Sequence, residues 1–328
     1  MQKNINFETN PSIYKHWELK VQNNIAYLIM KVDEDEGFFD GYKLKLNSYD
    51  IGVDIELADA VQRLRFENPN VTSVIIKSGN DKAFCAGANI KMLASSNHAH
   101  KVNFCKFTNE TRNFLEKSQI ESNQFYICLI EGVCAGGGYE LALACDHIIL
   151  IDDGSSSVSL PEVPLLAVLP GTGGLTRLTD KRKIRRDLAD VFCTMVEGVR
   201  AKKAKEWRLV DSIIKKSSLN EELDILIKKK SIKKLHTNTL NGVILNKIQK
   251  NKVNNDVIKY SSVNIEIDRV KKVATISILA PNTPAPKEVE EIYSQGDQFW
   301  LLKCARELDD AILYLRFNEL EIGIILFK

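Results

Sequence analysis

The sequence predicts an α/β fold in which mostly parallel strands alternate with helices. Three observations lead there. Short β-branched apolar runs recur between stretches whose apolar residues have helical spacing. Glycine-rich loops stand directly after several of those runs. Strands joined through helices pair in parallel, because each crossover returns the chain to the same end of the sheet. With 328 residues, 44% of them apolar, the chain is long for one domain and ample for a sizeable core.

The elements follow in order. "IAYLIMKV", 25–32, reads as a buried strand, and "DEDEGFFDG", 33–41, as a turn-rich loop. Residues 53–67 read as an amphipathic helix through Ile55, Ala58, Val61 and Leu64. A second strand covers 71–78, followed by a loop carrying Gly79 and Gly87. Residues 98–118 have helical period. A third strand, 125–133, runs into Gly136, Gly137 and Gly138. "YELALAC" is a helix and "HIILIDD" a strand, and "SVSLPEVPLLAVLPGTGG" is a strand leading into a Pro/Gly loop. Across 202–260 lysines cluster, as in "KKSIKKL", and apolar residues are again spaced for helices. Solvated helix faces explain that pattern. Between Trp207 and Tyr260, at the two ends of that stretch, no aromatic residues are interleaved among the lysines to stack on bases, so a nucleic-acid surface is not indicated.

The chain also repeats itself. "LADAVQRLRFENPNVTSVIIK", 57–77, aligns without a gap on "LDDAILYLRFNELEIGIILFK", 308–328. Asp59 meets Asp310, Arg65 meets Arg316 and Phe66 meets Phe317. "VKKVATISIL", 270–279, mirrors the opening strand. The expected organisation is a first domain over 1–258 that ends in helices, and the start of a second, truncated copy over 259–328.

Composition excludes several classes. Charged residues make up 27% and the formal net charge is +2, so charge gives no case for a nucleic-acid partner. The first twenty residues hold no secretory apolar core, and no run approaches a membrane span. Seven cysteines, an odd count without a CxxC pair, read as reduced thiols in a cytoplasmic protein. His98, His100 and His147 lack ligand spacing, so no metal is expected. "GTGG", 171–174, lacks the spacing of a dinucleotide fingerprint.

The chemistry concentrates in two loops and two acids. A strand that enters a helix through three glycines leaves amide N–H groups free at a positive helix end, open to close approach. "AFCAGANI", 83–90, is a second loop of small residues at the end of another strand. Two such loops can converge on one carbonyl oxygen as an oxyanion hole. Glu140 follows the glycines on the first helical turn, and Glu162 lies between two prolines among apolar neighbours. A carboxyl group in apolar surroundings holds its proton more tightly and suits acid–base work. Asn89 either hydrogen-bonds a substrate or caps the helix "IKML".

"AFCAGANI", "GGGYELALACD" and "SLPEVPLLAVLPGTGG" together resemble the enoyl-CoA hydratase/isomerase (crotonase) superfamily, in its order and spacing. The resemblance implies a spiral of ββα units and an acyl-CoA thioester substrate, with no separate cofactor. It places the oxyanion donors at the Ala88 and Gly137 amides, and the catalytic acids at Glu140 and Glu162. It implies CoA contacts around Phe84 and Ala86, substrate contacts at Asn89 and Tyr139, and homo-oligomers. It also sets the helix bearing Cys105 beside the acyl pocket, where the thiol either touches the substrate or is inert packing. Asn89 stands where the family usually has Asp, and Tyr139 is bulky beside the acid. These departures, with "YKLKLNSYDIGVDIELADA" and "HKVNFCKFTNETRN", look like the branch that opens the ring of 2,3-epoxybenzoyl-CoA with loss of formate. That branch carries two crotonase-like halves. A generic enoyl-CoA hydratase or isomerase, and an inactive acyl-CoA-binding remnant, are the alternative readings.

Overall fold

The computed structural model describes residues 4–231 and 241–328. The described residues form two compact units, one within Thr9–Arg65 and Pro69–Leu240, the other within Met1–Glu8, Phe66–Asn68 and Asn241–Lys328. Among them no helix is long and apolar enough to cross a membrane.

The first unit begins with β1 (Trp17–Gln22), β2 (Ile25–Met30), α1 (Ile51–Phe66), β3 (Ser73–Ser78), β4 (Ala83–Cys85), α2 (Ile90–Ser95) and α3 (His98–Ser122). It continues with β5 (Phe125–Ile130), β6 (Val133–Ala135), α4 (Gly137–Ala144), β7 (His147–Ile151), β8 (Ser157–Ser159) and α5 (Glu162–Leu166). Then come α6 (Gly174–Thr176), α7 (Arg186–Cys193), β9 (Val199–Arg200), α8 (Ala201–Glu206), β10 (Ser212–Ile214) and α9 (Leu219–Ser231).

Its main sheet has the order β1-β2-β3-β5-β7-β10. Only β1 and β2 pair antiparallel. The strand β1, absent from the sequence reading, exists because Asn23 takes the positive φ that a tight two-residue hairpin needs. Burial tracks position in the sheet. β2 alternates half-buried and buried residues, whereas every residue of the central β5 is buried, as expected for a parallel strand covered on both faces.

A smaller sheet, β4-β6-β8-β9, positions the site. β6 lies parallel to both β4 and β8, with Cys85 beside Cys134 and Ala135 beside Ser159. Three parallel strands release their following loops at one end. The 86–89 loop, the glycine triplet and the Glu162 segment therefore emerge side by side. The expected single strand over 125–133 is divided between β5 and β6, and that division is what moves the glycines from the main sheet to the small one.

The second unit holds β11 (Asn251–Lys252), β12 (Val257–Lys259), β13 (Val263–Asp268), β14 (Val273–Ile278), α10 (Val289–Gln295), α11 (Trp300–Asn318) and β15 (Ile324–Phe327). Its sheet runs β11-β12-β13-β14-β15 over a core that includes Val263, Ile265, Ala274, Ile276, Ala311 and Leu315. Helical spacing over 202–258 is realised only in α8 and α9; 232–240 lie outside the described residues. Residues 241–250 have no regular structure, and β11 and β12 are strands. Pairing of β12 onto β13 overrides the local pattern there.

The sequence repeat is also a repeat of side-chain pairs. Trp17 pairs with Met30 and Ile25 lies beside Ser73, as Val263 pairs with Ile278 and Val273 lies beside Ile324. Glu56 on α1 accepts from the amides of Lys15, His16 and Trp17 at 2.8–3.1 Å. Its counterpart Glu307 accepts from the Ser261 and Ser262 amides at 3.2 and 2.7 Å. Tyr14 donates to Asp59, and Tyr260 donates to Asp310. In both copies a helix carboxylate satisfies the strand-entry amides that no sheet partner reaches.

Candidate active site

The two loops meet through glycine. A β-carbon built on Gly87 would lie 2.9 Å from Ala135 O and 3.2 Å from Gly137 N. One on Gly138 would lie 2.6 Å from Cys85 Cβ and 2.9 Å from its carbonyl oxygen. No other residue permits this approach. Gly136 turns the chain from β6 into α4 at φ 54°, ψ −129°, a conformation open only to glycine.

The amides of Ala88 and Gly137 have no acceptor among the described residues. For Ala88 the cause is a parallel bridge to Tyr49. Tyr49 N donates to Gly87 O at 3.0 Å, and Asn89 N donates to Tyr49 O at 2.9 Å. The residue between them must then point its own N–H the other way. For Gly137 the cause is its place as the first residue of α4, where no preceding helical turn exists.

The two glutamates sit in different settings. Glu140, on the first turn of α4, is only 2% exposed. It accepts from the Thr172 amide at 3.0 Å, the Gly174 amide at 2.8 Å and the Thr172 hydroxyl. Arg177 braces that loop, donating to Thr172 O at 3.2 Å while bonded to Asn109, Asn113 and Glu116 on α3. Glu162 is the first residue of α5, where the sequence suggested a loop; Pro161 occupies the cap position. Its Oε2 is buried without a partner among the described residues, and its Oε1 faces Gly136. Burial, and then the nearby charge of Glu140, push its carboxyl from 4.5 to about 7.

The other sequence candidates divide. Cys105 is half-buried near Gly171, and burial followed by Glu140 raises its thiol, so it stays protonated. Ala86 is exposed on a cleft of about 740 Å³ that also borders Ala88, Lys43, Lys45 and Lys91. Asn89 lines that cleft but is fully engaged: its Oδ1 caps α2 through Met92 N, and its Nδ2 donates to Lys43 O and the Ser48 hydroxyl. Phe84 is wholly buried. Tyr139 is also wholly buried, donating to Leu209 O at 2.7 Å and packed against Phe192, so no part of it is presented to a ligand. Of the two roles open to Asn89, the helix cap is therefore the one its side chain takes, whereas the contact expected at Tyr139 is not formed by its side chain, which has no exposed surface.

Sequence reading missed Thr172 and Gly174, the grip on Glu140. The signal was the "GTGG" that fits no dinucleotide motif: small residues, one with a hydroxyl, are what a carboxylate at this range requires. A β-carbon at Gly174 would lie 2.7 Å from Glu140 Oε1. Thr172→Ala removes one charged hydrogen bond, worth ~1.5–3 kcal/mol. The expected result is a fall in kcat of at least about 10-fold with KM nearly constant, read from steady-state kinetics.

Residues 43–266 match the family model described as enoyl-CoA hydratase/isomerase. This chain belongs to the enoyl-CoA hydratase/isomerase family. It is 52% identical over 320 residues to the benzoyl-CoA-dihydrodiol lyase of Aromatoleum evansii, covering 98% of this chain and 58% of that protein. It is 30% identical over 224 residues to the fatty acid oxidation complex subunit alpha of Aliivibrio fischeri, covering 66% of this chain and 31% of that one. The chain thus spans little more than half of the first relative and less of the second. Among solved structures, an enoyl-CoA hydratase of Geobacillus kaustophilus superposes with a TM-score of 0.57 at 32% identity, over 66% of this chain and 74% of its own. One from Bacillus anthracis gives 0.55 at 27%, over 66% and 76%. The crotonase-like α/β fold expected from the three motifs is the fold found.

Proposed function

We propose that this chain carries the acyl-CoA site of a ring-opening lyase acting on 2,3-epoxybenzoyl-CoA, with loss of formate. The observation that carries the reading is the pair of unpartnered amides, Ala88 and Gly137, delivered by neighbouring parallel strands beside a carboxyl group whose Oε2 is also unpartnered. Resemblance to a relative named for a benzoyl-CoA dihydrodiol supports the aromatic thioester over a straight-chain one.

The thioester oxygen accepts from both amides, so electrons pushed toward the carbonyl meet donors already in place. One such donor is worth ~3–4 kcal/mol of barrier. Glu162, with a proton affinity near neutrality, takes a proton from water and passes it on. The water oxygen bonds to an epoxide carbon as that carbon's bond to the epoxide oxygen breaks, and the proton held by Glu162 goes to the freed oxygen. Glu140, held by three donors, stays charged, keeps Glu162 protonatable and can accept a hydrogen bond from the new hydroxyl. Cys105, near Gly171 and within reach of the Glu140 charge, serves as a protonated thiol. Lys43, Lys45 and Lys91 at the cleft beside Ala88 suit the CoA phosphates.

Incubation with 2,3-epoxybenzoyl-CoA and, separately, crotonyl-CoA tests this. Formate release from the first, with little hydration of the second, is expected. Crotonyl-CoA hydration without formate identifies a generic hydratase instead. Thioester binding in calorimetry without turnover of either identifies a binding module.

A further inference from the structure

We propose that Tyr49 is a third donor to the thioester oxygen, its hydroxyl completing the hole formed by Ala88 and Gly137. This rests on the oxyanion-hole reading above and adds a side chain to it. The position is tied to both amides. The backbone of Tyr49 makes the bridge that turns the Ala88 N–H outward. Its ring then crosses to Gly137: a β-carbon there would lie 2.7 Å from Tyr49 Cζ and closer still to the hydroxyl oxygen. In a helix the Cα–Cβ bond leans toward the N-terminus, the direction in which the amide N–H also points. A group sitting where that β-carbon would be shares the side of Gly137 on which its N–H points.

The hydroxyl is available. Tyr49 is only 2% exposed, yet its Oη has no hydrogen-bond partner among the described residues. The oxygen is therefore not committed to the protein, and a bound thioester oxygen can accept its proton. The ring is fixed between Phe104, with centroids 5.9 Å apart, and the Arg112 guanidinium at 5.5 Å. Burial keeps the phenol protonated well above its ordinary range, so it enters as a donor.

The test uses Tyr49→Phe, which keeps the ring and removes only the oxygen. The primary readout is the absorption band of 4-dimethylaminocinnamoyl-CoA, a push–pull thioester whose band moves red when its carbonyl is polarised. Wild-type protein should shift the bound probe strongly. The variant should shift it measurably less, with unchanged melting temperature. Its kcat on the substrate should fall about 10²-fold, the scale of one oxyanion donor, with KM within a few-fold. 3,5-Difluorotyrosine at position 49, a stronger donor of nearly the same shape, should increase the shift. An unchanged shift and kcat in Tyr49→Phe overturn the proposal. So does a loss of probe affinity together with a fall in melting temperature, which marks a packing role. If wild-type protein binds the probe without any shift, the oxyanion hole itself is wrong, and that failure is distinct from a failure of Tyr49 alone.

Discussion

Glu162→Gln lowers turnover by about 10²–10⁴-fold while leaving thioester affinity nearly intact, the loss expected on removing a positioned acid–base group. Its pH signature is the sharper check. The carboxyl is raised to about 7, chiefly by burial, so the unprotonated base grows as pH climbs through neutrality. Wild-type kcat should therefore rise toward about pH 7 and level off above it, and the variant should lose that rise. Stability should move oppositely. A carboxyl whose folded value exceeds its unfolded value destabilises the fold progressively between 4.5 and about 7, because the unfolded chain releases the proton first. The glutamine variant should therefore melt higher than wild type at pH 8, and no higher at pH 4. A rate profile in Glu162→Gln that still rises near pH 7 would place the titrating group elsewhere.

Arg112→Ala should cost about 3–5 kcal/mol of unfolding free energy, the penalty for stranding one partner of a buried ion pair. Arg112 and Asp54 lie 2.6 Å apart, each with a side chain 2% exposed. Asp54 also accepts from the Thr108 hydroxyl, and Arg112 reaches the Gly137 carbonyl at 3.5 Å. The pair therefore ties α1 and α3 to the start of α4. Urea denaturation measures the loss. The double variant Asp54→Asn with Arg112→Met, which removes both charges, should recover much of it, since the stranded charge and not the missing contact dominates. Equal instability in the double variant would show that packing around the guanidinium matters more.

Neither feature could be read in the same way from the sequence. The apolar neighbours of Glu162 in "SLPEVPLL" suggest a raised proton affinity, yet Val163 and Leu165 are exposed, and the carboxyl is raised by burial in the fold and by the charge of Glu140. Arg112 looks like any polar residue on a helix, and nothing local shows that Asp54, far away in the chain, will be buried against it. Tyr49 is similar. Its neighbours "LNSYD" mark a turn, yet its importance depends on where the 86–89 loop and Gly137 arrive. Asn89 and Tyr139 divide. The cap of α2, one of the two roles open to Asn89 in the sequence, is the one its side chain takes, whereas Tyr139, a candidate because it stands next to the glycines, gives its hydroxyl to Leu209.

By itself the sequence determined the α/β class, the glycine turns, the two acids and the repeat of 57–77 in 308–328. Each is written in short-range spacing, in residues with unusual backbone freedom, or in direct self-comparison. Tertiary structure alone decided that β6 leaves the main sheet, that Thr172 grips Glu140, and that 251–252 and 257–259 become strands. It also decided which amides are left without acceptors. Those outcomes depend on pairing between distant segments, where the free energy of a hydrogen bond or a buried charge is set by a neighbour that local sequence does not specify.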